Sequence, residues 1–251
     1  MIFTLKVLSA LLTYPSTDLV AAADELKDAI TRDALLPKRE LARVIQLIDD
    51  LGSRDLIEAQ ERYILLFDRT RSLSLHLFEH VHGESRDRGQ AMVDLIRVYE
   101  EGGFTPTISE LPDFLPLFLE YAANRPPEEA LELVGQPGHV FAALRERLAK
   151  RESIYEAAFA ALVALSKARL DEAALAALRA EPDDDPNDLK ALDIAWEEEE
   201  VTFGPSASAA DCGVDSLAAK IRQARRPAPG FETPQGSGPR TIITTPRSPR
   251  A

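Results

Sequence analysis

Apolar side chains recur along most of this chain at three- and four-residue steps, the spacing that gathers them on one face of a helix. Leu5, Leu8, Leu11 and Leu12 form a first stripe that stops at Tyr14-Pro15, and Leu19, Val20, Leu26 and Ile30 form a second, with Ser16 or Thr17 as its N-cap. Leu41, Val44, Ile45, Ile48 and Leu51 make a third, with Gly52 suited to its C′ position. Ser53 is then the expected cap of the next helix, whose inward face reads Leu56, Ile57, Gln60, Tyr63, Ile64 and Phe67. Later stripes run through Leu77, Phe78 and Val81; Met92, Leu95, Ile96 and Tyr99; Phe114, Leu117, Phe118 and Tyr121; Val140, Phe141, Leu144 and Leu148; and Ile154, Ala158, Phe159 and Leu162. No alternating β-branched runs with hairpin turns interrupt them. The pattern predicts an all-α fold of about nine to eleven helices. Helices this short must bury their stripes against one another, so a single helical domain is expected. Gly102-Gly103-Phe104-Thr105-Pro106-Thr107 breaks the pattern and divides that domain into two unequal halves.

Composition agrees with a packed body: of 251 residues, 45% are hydrophobic and 28% charged, ordinary for a globular chain. The C-terminal part differs. From Pro227 to Ala251 there are six prolines and three glycines, with Phe231, Ile242 and Ile243 as the large apolar residues, too few to offset the entropy of ordering. Residues 1–204 are therefore read as the helical domain and 205–251 as a Pro/Gly/Ser-rich basic tail, mostly disordered. The net charge is -13. That field repels phosphate backbones, so nucleic acid is disfavoured as a partner, and it attracts cationic segments. One cysteine, Cys212, excludes an internal disulfide or a CxxC pair. The N-terminus lacks a basic n-region and its apolar run stops at Tyr14-Pro15, so membrane insertion is not expected and the cytoplasm is the expected location.

One segment resembles catalytic chemistry. His76-Leu77-Phe78-Glu79-His80 matches H-x-x-E-H, in which two histidines one helical turn apart hold zinc and the glutamate polarises water. A zinc-dependent hydrolase using His76, Glu79 and His80 is thus the alternative function. Against it stands a plainer reading of two histidines near a helix C-terminus that bond carbonyls, with Gly83 as the stop. Glu110-Leu111-Pro112-Asp113 reads either as paired carboxylates or, preferably, as a helix start. Between residues 181 and 200 lie ten acids and one base, Lys190, with Trp196 in their midst. That density reads as a solvated face able to steer an arginine-bearing peptide.

Several separated segments, in order, resemble one family. Tyr63-Ile64-Leu65-Leu66-Phe67-Asp68, the run from Ser74 to Met92, Glu110-Leu111-Pro112-Asp113-Phe114-Leu115-Pro116, and Ala195-Trp196-Glu197 to Phe203-Gly204 are similar to the molybdenum cofactor assembly chaperones of nitrate reductase. The likeness spans roughly residues 3 to 204. It implies an all-helical cytoplasmic chaperone without catalysis or a cofactor of its own. Its implied partner is the immature catalytic subunit of a respiratory nitrate reductase, including the N-terminal leader remnant, held until the molybdenum cofactor is inserted. Glu110, Pro112 and Asp113 resemble the E-P-x-D-H motif of related chaperones, with proline displaced and Phe114 standing where histidine would be. The expected client-binding residues are Tyr63, Phe67, His76, Phe78, Glu79, His80, Arg86, Arg88, Glu110, Asp113 and Tyr121. The oligomeric state is left open.

Overall fold

The computed structural model describes residues 1–82, 87–105, 110–166, 171–181 and 183. The tail 205–251, Cys212, Trp196 and the run Glu197 to Glu200 lie outside the described residues. Within them the fold is all-α: α1 (Phe3–Leu11), α2 (Thr17–Ala21), α3 (Ala23–Asp33), α4 (Lys38–Ser53), α5 (Leu56–Phe67), a 3-10 turn (Arg71–Leu73), α6 (Leu77–His82), α7 (Asp87–Glu101), α8 (Leu115–Ala123), α9 (Pro127–Gly135), α10 (Gly138–Lys150), α11 (Glu156–Leu165) and α12 (Glu172–Ala180). Twelve α-helices among the described residues exceed the expected nine to eleven. The stripe from Leu19 to Ile30 splits at Ala22 into α2 and α3. Two helices had not been read at all: α9 opens on Pro126-Pro127, where proline at the first helical position starts a helix rather than breaking it, and α12 is mostly alanine around Leu175 and Leu178.

Two helices act as internal posts. α11 is apolar all round, as a fully enclosed helix must be; its alanines let α10 and α4 approach closely, and Phe159 and Leu162 are wholly buried. Its one buried acid, Glu156, is matched by Arg43 from α4 and by the Arg145 Nε at 2.8 Å, so the carboxylate is not left unpaired. α1 lies between α8 and α3. Its buried polar groups all find partners: Thr4 donates from its backbone N–H to the Asp33 carboxylate at 2.7 Å, and the Ser9 hydroxyl donates to the Pro116 carbonyl at 2.7 Å.

Local signals hold in part. Ser16 caps α2, accepting from the Leu19 N–H. The expected junction between α4 and α5 is corrected: Gly52 and Ser53 are still inside α4, and Asp55 caps α5 by accepting from the Ile57 and Glu58 N–H groups. Gly52 serves closeness instead, since a Cβ there would stand 3.2 Å from the Ala23 Cβ. The break after α7 is real. Gly103 adopts φ +83°, and a Cβ on Gly102 would stand 2.6 Å from the Tyr121 hydroxyl.

Candidate functional site

Two of the segments that carry the family-like motifs, the run from Ser74 and the one from Glu110, meet at Asp113. An isolated antiparallel bridge pairs His76 with Phe114: the Leu77 N–H donates to the Asp113 carbonyl at 3.0 Å, and the Leu115 N–H to the Leu75 carbonyl at 2.8 Å. This bridge carries the Asp113 side chain into the interior, where none of its surface reaches solvent. There its carboxylate accepts from His76 Nδ1 at 3.2 Å and from the Phe78 backbone N–H at 3.1 Å. Arg88, on α7, lies 3.9 Å from the same carboxylate and donates to Glu79 at 3.1 Å. Asp113 thus caps the first turn of α6 across the fold, not its own helix α8, whose start has no side-chain cap. That corrects the helix-start reading.

The two histidines of the motif are shifted in opposite directions. The hydrogen bond that His76 donates to Asp113 raises its affinity for its proton, against the opposing effect of burial. Burial lowers that of His80, whose Nε2–H donates to the Ser74 carbonyl at 2.8 Å. The protonated form is thus favoured beside Asp113 and the neutral imidazole beside a carbonyl. The zinc arrangement is not formed. α6 begins at Leu77, so His76 is outside the helix and the two rings do not share a helix face. One ring is committed to Asp113 and the other to Ser74, and among the described residues no three His, Cys, Asp or Glu side chains converge as metal donors. The carbonyl-bonding reading describes His80 correctly.

The remaining candidates fall in other places. Tyr121 packs against Tyr99 with the ring centroids 4.7 Å apart and the rings tilted at 53°, beneath the Arg125 guanidinium at 5.6 Å from its ring; the Tyr99 hydroxyl donates to the Pro112 carbonyl and the Tyr121 hydroxyl to that of Val98. This corner pins the end of α7 to the strand of chain entering Asp113. Tyr63 and Phe67 lie with Tyr155 in an interior aromatic cluster, ring centroids 5.0 and 5.1 Å apart for the pairs made by Phe67, and the Tyr63 hydroxyl donates to the Leu12 carbonyl. Both are buried, as is Tyr121, so in this conformation they pack the core instead of lining a groove. Phe78 is half-buried with its ring edge against His82 at 5.5 Å. Glu110 is exposed while Asp113 is enclosed, so the two do not work as a pair. Arg86 lies outside the described residues. Sequence reasoning missed Tyr99 as the anchor of α7, and it missed Arg147, a buried arginine whose guanidinium donates to the Ser72 and Leu178 carbonyls at 2.7 and 2.6 Å.

Among the described residues these features define an all-helical protein in which two of the signature segments are tied together at one enclosed carboxylate. Its kind is set by comparison with known sequences. The chain belongs to the nitrate reductase delta subunit family, whose model matches residues 16–161. It is 42% identical over 221 residues to the nitrate reductase molybdenum cofactor assembly chaperone NarJ of Escherichia coli K12, covering 87% of this chain and 91% of that one. It is 40% identical over 201 residues to the probable chaperone NarW of the same strain, 79% of this chain and 83% of that one. A probable NarJ of Bacillus subtilis is 32% identical over 152 residues, 61% of this chain and 82% of that protein.

Proposed function

We propose that this protein is a maturation chaperone dedicated to a nitrate reductase. It binds the immature catalytic subunit, including its N-terminal peptide, and holds it open until the molybdenum cofactor has been inserted. It then leaves and has no place in the finished enzyme. The observation that carries this reading is the likeness, along nearly the whole chain, to proteins named as molybdenum cofactor assembly chaperones. The site agrees with binding rather than turnover, since its ionisable groups are spent on one another in structural contacts. On this reading the chain catalyses no reaction and works in the cytoplasm; no described helix is long and apolar enough to cross a membrane.

The node around Asp113 contributes by fixing the surface formed by α6, α7 and the chain before α8. His76, Phe78, Glu79 and Arg88 are the partly exposed members able to meet a client there, with Glu110 at the rim. The test is deletion of the gene followed by isolation of the nitrate reductase catalytic subunit. The subunit should accumulate without its molybdenum cofactor, and restoring the gene should restore the metal. A subunit with full molybdenum content in the deletion strain would refute the proposal.

A further inference from the structure

One helix face contradicts the sequence pattern. Ile57 and Ile64 belong to the expected inward face of α5, yet they are 65% and 37% exposed, and Leu65 is 38% exposed. The helix carries apolar residues on more than one side, and the interior takes Ala59, Tyr63, Leu66 and Phe67. At 3.6 residues per turn, the residues left outside, Ile64, Ile57, Asp68, Glu61, Leu65 and Glu58, fall within about 120° of one another. Three large aliphatics and three carboxylates are therefore interleaved on one solvent-facing surface. Tyr14, itself half exposed, borders it, because Gln60 donates to the Pro15 carbonyl at 2.8 Å and holds that loop along the helix edge.

We propose that this outward face of α5 docks a cationic amphipathic helix of the client subunit, an inference that rests on the chaperone reading above. Solvation explains exposed carboxylates but not three exposed aliphatics beside them on one helix. The partner must cover those aliphatics and meet the acids. A neutral apolar partner would bury the carboxylates unpaired. A second copy of this chain would bring the same acids against themselves, and an anionic lipid surface would be repelled. Of the nearby cations, Arg54 pairs with Glu58 at 3.6 Å as well as with Asp50 at 2.8 Å, and Arg62 is turned inward onto Asp50. Among the described residues no lysine or arginine stands within ion-pair distance of Glu61 or Asp68. The face is about 18 Å long, three helical turns, which a partner helix with apolar residues at i, i+3, i+4 and i+7 and lysine or arginine beside them would match.

Two probes test it on the full chain: a labelled synthetic helix of leucines and lysines in that pattern, and the cofactor-free catalytic subunit. Two surface variants, Ile57→Ser with Ile64→Ser and Glu58→Lys with Glu61→Lys, are checked first for unchanged circular dichroism and melting. Each should bind both probes at least tenfold more weakly than the unaltered chain, and added salt should weaken the unaltered chain more than the charge-reversed one. A peptide with glutamates in place of the lysines should not bind. If the unaltered chain captures the catalytic subunit and both variants capture it equally well, this docking face is wrong and the chaperone reading stands. If the unaltered chain does not capture the subunit at all, the chaperone reading itself fails.

Discussion

At the scale of single residues, the enclosed carboxylate of Asp113 governs what can be changed. Replacing it with leucine removes the acceptor of the His76 ring and of the Phe78 N–H, and should cost about 2–3 kcal/mol, the upper range for buried polar groups left without a partner. Asp113→Asn keeps an acceptor for the Phe78 N–H and loses only charge, so it should cost about half as much. Urea unfolding of the two variants ranks them, and equal midpoints would contradict the account. His76 adds a pH dependence of known sign. Its proton is held more tightly in the folded chain than at the ordinary imidazole value of 6.5. The stability it supplies is therefore fully present below pH 6.5 and is lost as pH rises through the higher folded value. The stability difference between the unaltered chain and His76→Gln should be on the order of 1 kcal/mol at pH 6 and shrink by pH 8.5. A difference that grows with pH would show that the pair does not act as described. His80 works in the opposite sense, since burial favours its neutral form, but it is common to both proteins and cancels. Only part of this is legible in the chain: the carbonyl-bonding reading fits His80, but the pairing of His76 with Asp113 does not show. The H-x-x-E-H spacing reads His76 and His80 as equivalent, one turn apart, whereas a bridge to Phe114, 38 positions away, takes His76 off the helix.

At the scale of elements, apolar periodicity located most of the helices, and what it could not supply was their rotation and their ends. α5 is the clearest instance. With apolar residues on more than one side, its stripe does not choose a face, and the interior aromatics Tyr63 and Phe67 settle the rotation by packing on Tyr155. Gly52 and Gly102 show the same limit. A glycine reads as a stop, yet Gly52 allows α4 to approach α3, and Gly102 makes room for the Tyr121 ring. Gly102→Ala should therefore destabilise the end of α7 by about 1–3 kcal/mol, because the new methyl meets a ring enclosed on its other sides by Tyr99 and Arg125. Amide hydrogen exchange should quicken in the last turn of α7 and around Tyr99, while α10 and α11 keep their protection. Unaltered exchange in α7 would mean that Tyr121 yields freely and that the corner does not pin the helix.

Across the whole molecule, charge is divided in a way that bears on how a partner is found. Residues 205–251 hold seven Lys/Arg and three Asp/Glu, so the preceding 204 residues carry a net -17 while the chain as a whole carries -13. Residues 205–251 are rich in proline and glycine and poor in large apolar side chains, so the physical effect expected of this segment on the body is that of its charge. Removing residues 205–251 should leave the melting temperature unchanged and should strengthen the field that draws in a cationic segment. Association with a lysine-rich helical peptide at low ionic strength should then become a few times faster, with little change in the dissociation rate, since long-range charge acts mainly on encounter. The difference should collapse near 0.3 M salt, where the screening length falls to about 6 Å. Stopped-flow fluorescence of the full and shortened chains separates the two rates. An acceleration that survives high salt would instead mean that the segment physically covers the binding face, and slower association would mean that it takes part in capture.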